Sequence, residues 1–245
     1  MPILIVTVLL QVALVLHIVK TGRNTTWIWI VVMLPLAGSI AYVVVEVLPG
    51  IVAGKTGRKV HKNIKNIINP DKNINEASRD YSISDTVENS VKLAEQCLTK
   101  NMFDEAKQLF EKALSGMHQD APDIMFGLAR AEFGLTNYNR TKEILDDLIS
   151  TNPDYKNSNA HLLYARTAEN LSDIQLALQE YQVLDGYYSG LEASYRYAVL
   201  LKSNGQRDKA NAVFEKILNK SKISGKHYNT IQKEWISNTK KEYNS

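Results

Sequence analysis

The stretch Asn101-Met102-Phe103-Asp104-Glu105-Ala106-Lys107-Gln108-Leu109-Phe110-Glu111-Lys112-Ala113-Leu114 sets a pattern that returns at Asn137–Leu148, Ser172–Leu184 and Gln206–Leu218. Ala106, Thr141, Ala177 and Ala210 follow one another at 35, 36 and 33 residues, and the bulky Phe110, Leu145, Tyr181 and Phe214 keep the same spacing. Four further alanines, Ala94, Ala129, Ala165 and Ala198, run in register with them. A period near 34 with small residues on paired helices means one helical unit stacked on copies of itself. The small residues have a steric reason. Alanine at a helix crossing permits close approach, and the Phe, Leu or Tyr four residues later fills the space between successive units.

On these residues the chain resembles the tetratricopeptide repeat family, whose second-helix consensus residues 101–114 follow almost position for position. Pro153 ends the second unit as that pattern expects. Three departures stand out: Thr141 replaces the small alanine, Arg207 stands where an aromatic is usual, and the connection Ser115–Pro122 is long. The expected helix pairs are 86–114, 122–150, 158–184 and 191–219, making an all-α solenoid over 86–219. In residues 227–243, Tyr228, Ile231, Trp235 and Ile236 form one helical stripe, with Lys233, Glu234, Lys240 and Lys241 outside it. A solenoid exposes its last apolar face unless a helix covers it, so 220–245 is expected to cap the array and Trp235 to serve that role rather than bind a ligand.

The resemblance implies that each unit's first helix lines a concave wall on which a protein or peptide partner docks. The inward positions carry Val91 and Glu95, then Phe126, Arg130 and Phe133, then Leu162, Arg166 and Glu169, then Tyr195, Val199 and Lys202. Arg130 and Arg166 are equivalent residues of adjacent repeats. Either they hold a partner's carboxylate beside Phe126 and Phe133, or they pair with Glu95, Glu132 or Glu169 on neighbouring turns. The basic and asparagine clamp of chaperone-binding members is absent.

Ahead of the repeats, residues 1–48 hold two apolar runs, Ile3–Val19 and Trp27–Leu48, divided by Lys20–Thr26. At 1.5 Å per residue they reach roughly 25 and 33 Å against a hydrocarbon core of about 30 Å, so hydropathy predicts a two-span transmembrane hairpin. No Lys or Arg precedes the first run and no small-x-small cleavage site follows it, so it reads as retained rather than as a signal peptide. The basic residues Lys55, Arg58, Lys59, Lys62 and Lys65 follow the second run and orient both termini toward the cytoplasm. The order Trp27, Trp29, Leu34-Pro35, Gly38 and Tyr42 resembles the N-terminal membrane hairpin of cardiolipin synthases of the phospholipase D type. That resemblance implies a bacterial inner-membrane protein, and with it an alternative role as an accessory or sensor in phospholipid metabolism. The family's two H-x-K-x4-D motifs are missing, since none of His17, His61, His118, His161 and His227 has a lysine two positions on. Lipid synthesis is therefore not implied.

Residues 49–85 form the connector. Val60, Ile64, Ile67 and Ile68 at helical spacing among the basic residues suit either an anionic bilayer surface or a plain stop-transfer cluster. Asn69-Pro70-Asp71 breaks it, and Lys72–Ser84 reads as a polar linker. The small-residue face around Gly38 and the open repeat ends leave room for self-association.

No Gly-rich phosphate loop, paired-cysteine metal motif, metalloprotease helix or nucleophile elbow occurs, and the histidines are dispersed, so neither catalysis nor a cofactor or metal is expected. The net charge of +3, with the basic excess concentrated in the connector, gives no nucleic-acid surface. The lone Cys97 fits a reducing compartment and also a disulfide-free exported domain. Asn-x-Ser/Thr triplets at Asn24, Asn139, Asn170 and Asn219 are incidental in an Asn-rich chain.

Overall fold

The computed structural model describes residues 2–21, 26–43 and 71–244, in two compact units, one within residues 1–72 and one spanning Asn73–Ser245. The basic connector residues Lys55, Arg58, Lys59, Lys62 and Lys65 lie outside the described residues.

The first unit contains α1 (Pro2–Thr21), α2 (Thr26–Met33) and α3 (Pro35–Tyr42). Ile18, Val31 and Tyr42 form its centre. Gln11 donates to the Val31 carbonyl at 2.7 Å, His17 Nδ1 and the Tyr42 hydroxyl lie 3.0 Å apart, and the Trp27 ring meets Tyr42 edge-on at 5.5 Å. Trp29 projects outward, 69% exposed. A Cβ on Gly38 would fall 2.3 Å from the Ile30 carbonyl oxygen, so only glycine admits this approach of α3 to α2.

Here the structure corrects the sequence expectation. Among the described residues no helix is long and apolar enough to cross a membrane. The apolar run from Trp27 is divided at Leu34, because Pro35 has no N–H to continue the ladder; the two pieces have 8 residues each. Each piece reaches only about 12 Å, well short of a bilayer core. Within α1 the described side chains from Gln11 onward include Gln11, His17 and Lys20. The two-span hairpin, and the inner-membrane location built on it, are withdrawn.

The second unit begins with a further correction, since the expected polar linker is helix α4 (Lys72–Ile83). Ile74 packs against the first repeat, Ala77 is fully buried, and Asp80 pairs with Lys92 at 2.5 Å. Asn89 fastens the end of α4 by donating to the carbonyls of Asp80 and Ser84.

Four helix pairs follow: α5 (Val87–Thr99) with α6 (Phe103–Ala113), α7 (Pro122–Gly134) with α8 (Tyr138–Thr151), α9 (Ser158–Asn170) with α10 (Ile174–Tyr187), and α11 (Glu192–Ser203) with α12 (Arg207–Ile223). The in-register residues behave as their spacing predicts. Ala94, Ala129, Ala165, Ala198, Ala106, Ala177 and Ala210 are all fully buried at the crossings, and so are Phe110, Tyr181 and Phe214 between units. Thr141 is also fully buried; its hydroxyl donates to the Asn137 carbonyl at 3.0 Å, which lets a polar residue stand in the alanine position.

Each pair turns in the same way. Asn101, Thr136, Ser172 and Gly205 occupy one register position and all have positive φ, 59°, 63°, 61° and 78°. The following N–H closes on the carbonyl five residues back in every repeat: Met102 to Cys97, Asn137 to Glu132, Asp173 to Ala168 and Gln206 to Leu201. This is the Schellman ending of a helix, with a left-handed residue one past the cap.

The tail is two helices, α13 (Lys226–Ile231) and α14 (Lys233–Tyr243). The expected single stripe breaks at Gln232, whose side chain accepts from the Leu191 N–H at 2.9 Å, and Ile231 is left 62% exposed. Helix α14 packs on α11 and α12. Trp235 meets Tyr195 at 5.5 Å, and Glu242 accepts from Lys202 through its carbonyl at 2.7 Å and its carboxylate at 3.2 Å. Both tail residues stand the same distance in sequence from their partners, so α14 takes the place of the first helix of a fifth unit.

Candidate functional site: the first-helix face

The inward positions of the first helices align in three columns, Val91–Phe126–Leu162–Tyr195–Trp235, Glu95–Arg130–Arg166–Val199–Thr239 and Leu98–Phe133–Glu169–Lys202–Glu242. The regular stacking of α5, α7, α9, α11 and α14 brings them together. Contacts within a column run from one repeat to the next, Glu95 with Arg130, Tyr195 with Trp235 and Lys202 with Glu242.

Arg130 reaches back to the first repeat, where its Nη1 donates to both oxygens of Glu95 at 2.8 and 3.0 Å, and its guanidinium lies over the Phe126 ring at 5.6 Å. Arg166, the equivalent residue one repeat on, is held differently. Its guanidinium lies 4.8 Å from the centre of the Phe133 ring, and Nη1 is 3.6 Å from a Glu192 oxygen, beyond good hydrogen-bonding distance. Its Nε is buried and has no hydrogen-bond partner among the described residues. Of the two alternatives left open by the sequence, pairing with a neighbouring acid is formed at Arg130, with Glu95, and incomplete at Arg166, whose nearest acid is Glu192.

The remaining predicted residues divide between stitching and packing. Glu169 accepts the Tyr181 hydroxyl at 2.5 Å and lies 3.4 Å from Arg196. Burial, and then the Glu169 charge, push the Tyr181 phenol far above its usual value, so it is a fixed donor. Leu162, predicted on the surface, is 5% exposed and belongs to the core, while Tyr195 and Lys202 are engaged by α14. Phe126 and Phe133 remain half-exposed beside the arginines.

Two residues were not anticipated from the sequence. Arg196 donates to Glu192 at 2.8 Å and lies over the Trp235 ring at 5.8 Å. Burial works against its charge, yet Tyr181, Glu192 and Glu169 outweigh that and raise its pKa. Glu192, at the start of α11, serves both arginines at once. The signal available was only that Arg196 stands beside the inward Tyr195. Cys97 is buried, and burial pushes its thiol up, so it is not a reactive group.

A separate groove of about 750 Å³ opens between α8, α9 and α10. It holds a hydrogen-bonded chain in which His161 Nδ1 is 2.6 Å from the Tyr187 hydroxyl and Nε2 is 2.5 Å from Glu180 Oε2.

Comparison with known proteins agrees with this geometry. Residues 98–167 and 192–221 match tetratricopeptide repeat family models. The fold is thus a tetratricopeptide-type α-solenoid. Among solved structures, MamA is similar, at 18% identity and a TM-score of 0.53 over 61% of this chain and 86% of that one. TTC0263, a thermophilic tetratricopeptide protein in Thermus thermophilus, is similar at 16% identity and a TM-score of 0.52, over 73% of this chain and 96% of that one. At these identities the likeness is one of fold. No curated protein matches the chain. The matches fall on the repeats and lend no support to the cardiolipin synthase resemblance of residues 27–42.

Proposed function

We propose that the repeat unit is a scaffold that binds a protein or peptide partner along its first-helix face, with Arg166 anchoring an acidic group of that partner, and that it works by binding rather than by turnover. One observation carries the reading. Arg166 is a guanidinium braced on an aromatic ring with a buried N–H that has no acceptor among the described residues, whereas its twin Arg130 is closed on Glu95. The rest of the Arg166 side chain is 32% exposed and its Glu192 contact is long at 3.6 Å, so a partner's carboxylate can close on the accessible part of the guanidinium, and the Phe126 and Phe133 rings give an apolar neighbour something to cover. The extended inner surface of stacked repeats is the usual ground for such recognition. The absence of any catalytic motif in the sequence supports binding over turnover.

The test is affinity capture of partners by the full chain, followed by titration of the captured partner against R166A and R130A variants. A charge-assisted contact contributes about 1.5–3 kcal/mol, so R166A should weaken binding at least about tenfold and R130A less. Equal losses for the two variants, or none, overturn the assignment to Arg166. Turnover of a substrate by the full chain overturns the binding-only reading.

A further inference from the structure

The groove beside α9 and α10 breaks the repeat pattern in a way the first-helix face does not account for. The register position of His161 carries Ser90, Met125 and Ser194 in the other units, and that of Glu180 carries Leu109, Ile144 and Val213. In the second repeat the corresponding pair, Met125 and Ile144, is buried apolar core. In the third it is an imidazole and a carboxylate, with side chains 23% and 27% exposed. Placing a carboxylate where three other repeats put an apolar side chain has a desolvation cost that folding alone does not require.

The hydrogen bonds define what the pair offers. With the Tyr187 hydroxyl donating to Nδ1, a neutral imidazole carries its proton on Nε2 and donates it to Glu180 Oε2. His161 engages Glu180 through Oε2, and Oε1 is the oxygen left to a ligand. Two other tyrosines line the groove, each donating its hydroxyl to an acid: Tyr164 to Asp146 at 2.9 Å and Tyr155 to Asp123 at 2.8 Å. Lys156 also lines the groove, and Lys142 is already paired with Asp146 at 2.6 Å and lies over the Tyr164 ring at 5.6 Å. Of these acids only Glu180 lines the groove itself, and the electron-rich rings of Tyr155 and Tyr187, which Lys142 does not cover, favour a cation beside it. Burial and the Glu180 charge both push the Tyr187 phenol upward, in keeping with a negative field here. Leu148 and the 56% exposed Ile149 supply an apolar floor.

We propose that this groove is a second docking site, separate from the first-helix face, that takes a basic side chain of a partner peptide onto Glu180 between the tyrosine rings, with a flanking apolar residue on Leu148 and Ile149. It stands independently of the reading given for Arg166, and its ligand has the opposite charge.

The experiment titrates the full-length protein with the peptide Ac-Leu-Arg-Leu-NH2 and with its norleucine analogue Ac-Leu-Nle-Leu-NH2, following tyrosine ring resonances by NMR. The arginine peptide should shift Tyr164 and Tyr187 saturably, and the norleucine peptide and the E180Q variant should each bind about tenfold more weakly or worse. An H161M/E180I variant transplants the pair that already packs in the second repeat, so it should keep the melting temperature and lose the arginine peptide. Equal binding of the two peptides overturns the proposal. So does a double variant that melts lower yet binds unchanged, which assigns the pair to packing alone. Butylammonium chloride binding as tightly as the peptide makes the occupant a free amine and overturns the peptide assignment.

Discussion

Lys107 of the first repeat and Glu132 of the second form an ion pair at 2.9 Å in which the acid is almost wholly buried, its side chain 2% exposed. Asn137 donates to the other oxygen at 2.7 Å, so the carboxylate is satisfied only while both partners are present. The hydrogen bond to Glu132 also raises the Lys107 pKa. Replacing Lys107 by Met leaves a buried charge without a counterion and should cost of the order of 3 kcal/mol in urea denaturation. The K107M/E132L pair should recover most of that loss. A K107M loss below about 0.5 kcal/mol, the range of ordinary surface changes, would show that the pair does not brace the two repeats.

The turn residues give a prediction of opposite sign. Thr136 is β-branched and has φ 63°, in the register position where Gly205 sits at 78°. A left-handed conformation costs a non-glycine residue about 1–2 kcal/mol, and glycine returns part of that through its greater freedom in the unfolded chain. T136G should therefore stabilise the protein by about 0.5–1 kcal/mol, and G205T should destabilise it. Thermal melts of the two variants decide the point; a lower melting temperature for T136G contradicts it.

These turns also show how far the sequence could be read. The repeat was visible because Ala106 and Phe110 answer steric demands that recur in every unit, and the helix pairs began and ended within a few residues of expectation. Of the four left-handed turn residues only Gly205 carries a chemical signal; Asn101, Thr136 and Ser172 are placed by the Schellman hydrogen bonds around them. Helix α4 was hidden because its buried contacts are few: Ile74 and Ala77 dock, Ile83 is left exposed, and most of the rest of Lys72–Ile83 is polar. Hydropathy misled at the N-terminus for the converse reason. It sums apolar residues and does not see Pro35 end one helix and start another. On the candidate face the columns were legible. The difference between Arg130 and Arg166 was not, because it depends on where Glu95 and Glu192 arrive from neighbouring repeats. The His161–Glu180 contact joins residues on different helices, and no local motif announces it.

The attachment of α4 should depend on pH. Its exposed Asp80 is held below the usual carboxylate value of 3.8 by the hydrogen bond and charge of Lys92. A depressed folded pKa contributes stability that is present above the unfolded value and is lost as pH falls through the folded one. Amide exchange over residues 72–83 should therefore accelerate on acidification below about pH 4, and D80N should show the faster exchange already at neutral pH, with its own acid dependence reduced. Unchanged exchange in D80N would remove Asp80 from the docking of α4.

Tyr181 links the core of the third repeat to the charges on the first-helix face. Its ring is fully buried, and its hydroxyl donates at 2.5 Å to Glu169, which also lies 3.4 Å from Arg196. Phenylalanine fills the same space, so Y181F removes one hydrogen bond to a charged group and little packing. Such a bond contributes about 1.5–3 kcal/mol, and a loss of that size is expected in denaturation. The change should also loosen Arg196, whose other contacts are Glu192 and the Trp235 ring of α14. Trp235 is the only tryptophan of the second unit, so selective excitation in a variant with Trp27 and Trp29 replaced by Phe reports on it directly. A red-shifted Trp235 emission in Y181F would show that the core hydroxyl, through Glu169 and Arg196, helps seat the terminal helix. An unshifted emission alongside the stability loss would confine its role to the third repeat.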